Sequence, residues 1–135
     1  MTVLVVVNRS NGEKARLVAD RIPQRCLGNP NSRMVTVVRF SGTRNRALQY
    51  LLTSMIRRRL NAEGIKLQKR YGAKGLSRNA RQDVYAVADF DGQVASQLGI
   101  PGNSQFNVLI VSANGTLLRQ WSDAPSAEDL SQALP

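Results

Sequence analysis

The sequence predicts an α/β fold in which helices flank a mixed sheet, and three observations carry that expectation. Short runs rich in β-branched and other apolar residues recur at 2–7, 34–40, 84–89, 107–112 and 116–121. The first four are separated by segments whose apolar residues repeat at helical spacing, the alternation from which parallel strands with crossover helices are built. The last two are joined by Ala113-Asn114-Gly115. Asn-Gly readily supplies the positive φ of a tight turn, so this pair must be an antiparallel hairpin. The predicted order is β-α-β-α-β-α-β-β-α, a three-layer sandwich ending in an antiparallel hairpin and one helix.

Each element has its own local reason. Thr2–Val7 is an unbroken apolar run suited to a strand buried on both faces. Ser10-Asn11-Gly12-Glu13 has the form of a capping box, with Ser10 and Glu13 exchanging side-chain and backbone bonds. The helix that follows places Ala15, Val18, Ala19 and Ile22 on one face, and Pro23 ends it. Gly28-Asn29-Pro30-Asn31 reads as a loop. Met34–Phe40 is a second strand of the buried kind. Ser41 or Thr43 then caps a helix whose stripe is Ala47, Leu48, Leu51, Leu52, Met55, Ile56 and Leu60. Arg44, Arg46, Arg57, Arg58 and Arg59 occupy its other side.

From Asn61 to Gln82 the periodicity weakens. Gly64, Gly72 and Gly75 punctuate it and basic residues crowd it. The chain is therefore expected to form one domain, residues 1–135, with a partly helical, partly mobile basic excursion at about 61–82. Val84–Asp89 reads as a third buried strand. Val94, Ala95 and Leu98 lie on a short helix ending at Gly99. Trp121 and Pro125 close the sheet edge, and Ser126 caps a last helix that turns Leu130, Ala133 and Leu134 inward.

Composition narrows the chemistry. The chain of 135 residues has one cysteine, Cys26, and no histidine. An internal disulfide, a C-x-x-C motif and a Cys-rich metal site are excluded. So are Ser-His-Asp, Cys-His and zinc-hydrolase schemes in their usual forms. No apolar run is long enough to span a bilayer. The apolar start runs straight into Asn8-Arg9-Ser10 and reads as a strand rather than a signal peptide. The compartment is not encoded in these features.

The net charge of +10 is unevenly spread. Residues 21–82 hold 15 of the 19 basic residues and a single acid, Glu63, whereas residues 83–135 hold six of the nine acids. A field of this kind attracts polyanions.

The stretch VYAVADFDGQVASQLGI, residues 84–100, resembles the redoxin branch of the thioredoxin superfamily. There, a strand ends in Asp, a turn follows, and a short helix closes with a Gly-hydrophobic pair. Residues 106–118, FNVLIVSANGTLL, are similar to that family's terminal hairpin. The resemblance implies a thioredoxin-like sandwich, with 61–82 as an addition to its common core. It places the family's dithiol near Gly12-Glu13-Lys14-Ala15, where no cysteine occurs. The family's cis-proline should precede the fourth strand, where Phe106 or Asn107 stands, and Pro101 comes too early. The helix N-terminus that lowers a thiol's pKa remains, but both halves of the redox site are missing. Oxidoreductase activity is therefore not carried over. The resemblance also makes export common among relatives.

Each remaining constellation has a structural reading beside its chemical one. Asn8–Lys14 follows a strand as a phosphate loop would, but lacks the Gly-x-x-x-x-Gly-Lys-Ser/Thr spacing. Asp89 and Asp91 can converge on a magnesium ion as in toprim-type enzymes, but the first strand ends in Asn8 rather than an acid. Cys26 can serve as the thiol of a single-cysteine peroxidase, yet it lies past the end of the first helix, where the dipole disfavours a thiolate. Arg57, Arg58, Arg59, Lys66, Lys69, Arg70 and Lys74 form the strongest candidate site, a polyanion-binding surface with Tyr71 available to stack on a base.

The expectation is a redox-inactive thioredoxin-like binding or assembly module without a cofactor. Its partner is an acidic protein surface or nucleic acid. The alternatives are a nucleic-acid-associated protein using 57–81, with or without a metal at Asp89 and Asp91, and a redox protein using Cys26.

Overall fold

The computed structural model describes residues 1–40 and 42–135; Ser41, one of two caps expected for the second helix, lies outside the described residues. Five strands form one sheet: β1 (Thr2–Asn8), β2 (Arg33–Arg39), β3 (Val84–Asp89), β4 (Phe106–Val111) and β5 (Leu117–Trp121). The helices are α1 (Gly12–Arg21), α2 (Arg46–Ala73), α3 (Gln93–Gln97) and α4 (Ala127–Ala133), with 3-10 turns at Gln24–Cys26 and Ala80–Asp83. The sheet order is β3-β2-β1-β4-β5. β1, β2 and β3 run parallel, and β4 and β5 are antiparallel to their neighbours. The order of elements along the chain and the mixed sheet are as predicted.

Handedness distributes the helices. The β1-α1-β2 and β2-α2-β3 crossovers step in the same direction across the sheet, so a right-handed path puts α1 and α2 on one face. α4 joins them there. Its Leu130, and Leu134 just past its end, pack with Val3, Val5 and Val7 of β1, Val108 and Ile110 of β4, and Val18 of α1. The opposite face is covered by α3, where Ala95 and Ile100 meet Val6, Val37 and Leu109. β1 is thus buried on both faces, as its unbroken apolar run requires. β3 is not: it lies at the sheet edge, and Tyr85 and Val87 are 42% and 39% exposed. The expected burial of both its faces fails because it is an edge strand, and the core on the α3 face is built from Val6, Val37 and Leu109 of the other strands.

Two caps differ from expectation. Ser10 does not form a capping box with Glu13, because its amide and hydroxyl both bond to Asn8 Oδ1. At α2 the cap is Asn45 rather than Thr43; Asn45 Oδ1 accepts from the amides of Ala47 and Leu48. Ser126 caps α4 as expected, in a full capping box with Asp129.

The segment 61–82 behaves differently from its weak periodicity. Residues 61–73 continue α2, which is one helix of 28 residues. Gly64 does not break it. A Cβ there would lie 2.9 Å from Arg81 Cδ, so glycine is what lets the 3-10 turn at Ala80–Asp83 sit against the helix. Tyr71, Leu27 and Ala80 form a small separate core, with Leu67 and Leu76 against it.

Candidate functional site

The loop between β1 and α1 leads into the helical turn where the resemblance placed a dithiol. Asn8 closes it from the strand end by accepting from the Ser10 and Asn11 amides at 3.0 and 3.1 Å. Asn11 returns the bond, its Oδ1 accepting from the Asn8 amide at 2.8 Å. Asn11 Nδ2 then donates to the Gln105 carbonyl at 2.7 Å, which ties this loop to the segment entering β4. Lys14, in the first turn of α1, pairs with Asp123 at 2.9 Å and lies 5.4 Å from the Phe106 ring centroid. The hydrogen bond from Lys14, helped by the Ala124 amide, holds the Asp123 carboxyl below its ordinary range. The loop is knit by amides and charges, with no thiol in it.

The seven basic residues chosen from the sequence all lie on α2 or at its C-terminal cap, but they do not form one patch. Successive residues turn by about 100° around a helix, which sends Arg57, Arg58 and Arg59 in three directions. Arg58 and Lys69 share an outer line, exposed to solvent. Arg59, Lys66 and Arg70 face α1. Lys66 is paired with Glu63 at 3.3 Å, and Arg70 donates to the Ala19 carbonyl at 3.4 Å. Lys74 donates to the carbonyls of Gln24 and Leu27 at 2.7 and 3.1 Å, closing the 3-10 turn at Gln24–Cys26. Among the described residues, Arg57, Arg58, Arg59 and Lys69 have no carboxylate within ion-pair distance.

Tyr71 is not available to stack. It is 2% exposed, and its hydroxyl donates to Asp83 Oδ2 at 2.8 Å. Burial, with Asp83 beside it, pushes the phenol up to about 12. The exposed aromatic on this helix is Tyr50, 78% exposed and two turns from Arg57 on the same side. Sequence reasoning passed over it because it interrupts no pattern; its only signal is an aromatic on the polar side of an amphipathic stripe.

Asp89 and Asp91 both accept from backbone amides at the start of α3, whose N-cap residue is Gly92. Asp89, 2% exposed, accepts from the amides of Ala95 and Val94 at 3.0 and 3.3 Å. Asp91 Oδ1 accepts from the Gln93 amide at 3.1 Å. No third His, Cys, Asp or Glu joins them in a metal-sized cluster among the described residues. Cys26 is 6% exposed and packs in the main core, its Sγ 3.6 Å from the Pro135 carbonyl oxygen.

The sequence matches no protein-family model and no curated protein. Two solved structures are similar in three dimensions. One is a DsbF homologue from Corynebacterium diphtheriae, with a TM-score of 0.53 and 13% identity, covering 98% of this chain and 68% of that one. The other is a secreted Mycobacterium tuberculosis disulfide oxidoreductase homologous to E. coli DsbE, with a TM-score of 0.51 and 16% identity, covering 98% of this chain and 78% of that one. The chain has the thioredoxin fold. In that fold the loop after β1 and the entry to β4 face each other, and the resemblance placed the dithiol and the cis-proline at these two positions. Here the thioredoxin fold keeps the two loops together through Asn11 and Gln105, and the only cysteine lies elsewhere, at the far end of α1. No helix is long and apolar enough to cross a membrane among the described residues.

Proposed function

We propose that this thioredoxin-fold module does not exchange disulfides and instead binds an acidic protein surface through the outer side of α2. The observation that carries the reading is the Asn8–Asn11–Gln105 network, which fills with amides the position where a dithiol would act. A lone buried cysteine cannot substitute for it, because exchange needs an exposed thiolate and a resolving partner. Of the α2 residues without carboxylate partners, the three that do not face α1, Arg57, Arg58 and Lys69, supply the attraction, within a chain of net charge +10.

A second reading, binding to nucleic acid, is favoured by one feature: Tyr50 is exposed beside Arg57 and can stack on an unpaired base. Two measurements separate the possibilities. Disulfide-reductase assays should give no turnover, and measurable turnover would defeat the first claim. Fluorescence anisotropy against salt, with an acidic peptide and with oligonucleotides of matched charge, tests the second. Tighter binding to the peptide supports the protein partner. Preference for single-stranded oligonucleotide, lost in Tyr50→Ala, supports nucleic acid.

A further inference from the structure

A cavity of about 500 Å³ lies between α2 and the sheet. Its volume falls in the range of small-molecule sites. Its origin is visible in residue size. α1 turns Ala15 and Ala19 toward it, and the strands contribute Thr36 and Ala86. The roof is α2, through Leu52, Ile56 and Leu60. None of these three joins the packed core clusters of the described residues. Only part of the apolar stripe that the sequence placed on α2 therefore turns inward, and that part faces a space rather than a core; Leu48, Leu51 and Met55 of the same stripe are exposed.

The rim is polar. α1 and α2 run side by side, and long side chains bridge them: Arg16 meets Glu63 at 3.0 Å, and Arg70 reaches the Ala19 carbonyl. Six basic side chains line the cavity against four acids. Of those acids, Asp83 is held by Tyr71 and Arg78, and Glu63 by Arg16 and Lys66; Glu13 and Asp20 are the others. Arg59 has no carboxylate within ion-pair distance among the described residues, and its guanidinium lies over Gly12, 3.3 Å from where a Cβ would stand. Ser32 Oγ, which is buried without a hydrogen-bond partner, belongs to a residue of the same lining.

We propose that this cavity binds a single-chain anionic amphiphile, its alkyl chain under Leu52, Ile56 and Leu60 and its acidic head at the α1–α2 seam beside Arg59. The apolar wall takes the chain, and the surplus of positive charge at the rim selects the sign of the head. This site is independent of the outer face of α2 invoked above.

Calorimetry with dodecanoate below its micellar concentration tests it. One molecule per chain is expected to bind, with an affinity in roughly the micromolar range. Dodecyltrimethylammonium, with the same chain and a cationic head, should bind at least about tenfold more weakly, and Arg59→Gln should weaken dodecanoate by about tenfold. Ala86→Leu fills the cavity and should abolish binding while the thermal midpoint is kept or raised. If that variant does not fold, Ala19→Leu makes the same test from the α1 side. The proposal is overturned if dodecanoate does not bind, if the cationic analogue binds equally well, or if the folded leucine variant binds as the parent does. The last result would place the amphiphile on the exposed Leu48–Met55 surface instead.

Discussion

Gly64, in the middle of the longest helix, lies directly against Arg81: a Cβ at Gly64 would fall 2.9 Å from Arg81 Cδ and 3.2 Å from its Cα. The side-chain carbon can move, but the backbone carbon belongs to the turn that delivers β3 to the sheet. Alanine at this position gains helix propensity of up to about 1 kcal/mol and meets overpacking of about 1–3 kcal/mol. Gly64→Ala is therefore expected to lower stability by about 1 kcal/mol. Gly72, on the same helix with nothing within 4 Å of its would-be Cβ, is the control. Gly72→Ala should raise stability by a few tenths to about 1 kcal/mol. Urea midpoints that move in opposite directions for the two variants bear this out.

Tyr71 makes stability fall at alkaline pH. Its phenol is pushed up to about 12 by burial and by Asp83, so the folded chain keeps its proton while the unfolded chain releases it near the ordinary value of 10.0. Between those values the folded state binds more protons, and stability decreases as pH rises. The contribution is intact below about 10 and is lost by about 12. Chemical denaturation across that window should show a steeper decline for the parent than for Tyr71→Phe. Parallel curves would mean that the buried hydroxyl does not carry the effect.

Asp89 and Asp91 separate by their burial. Asp89→Ala leaves two amides at the start of α3 without their acceptor in a buried site, and should cost about 2 kcal/mol. Asp91 is exposed, and Asp91→Ala should cost about half that or less. Thermal unfolding of the two variants compares them directly, and magnesium should shift neither midpoint specifically.

The basic residues of α2 should sort into two groups. Arg58→Glu combined with Lys69→Glu should weaken binding to a polyanionic partner by about tenfold or more near physiological salt, and should flatten its salt dependence. Lys74→Met should leave that affinity unchanged and lower the thermal midpoint, since it removes two bonds to the Gln24 and Leu27 carbonyls. Anisotropy and melting measured on the same samples distinguish the two roles.

Much of this was legible in the sequence because it is encoded locally. The five strands, their order and the terminal hairpin follow from β-branched runs, helical spacing and Asn114-Gly115, and each was placed within a residue or two of its observed bounds. The absence of a C-x-x-C pair was equally legible, since it depends only on which residue types occur. Charge, too, is a property of composition. What these signals lack is direction: they say that Tyr71, Lys74 and Asp89 are suited to binding, but not what already holds them.

Tertiary structure decided those assignments. Tyr71 and Asp83 meet because the 3-10 turn folds back on α2, and Lys74 is consumed by carbonyls nearly fifty residues away in the chain. Gly64 read as a break in the helix, because a sequence shows the cost of glycine and not the neighbour that requires it. The cavity under α2 was hidden for a similar reason. Its walls combine small residues of α1, β2 and β3, among them Ala15, Ala19, Thr36 and Ala86, with larger ones such as Met34 and Val38, and only the crossover topology brings them to face α2. Local sequence determines which elements form, through backbone and side-chain preferences within a few residues. Packing between distant elements determines which polar groups remain unsatisfied and which apolar faces remain open, and binding depends on both.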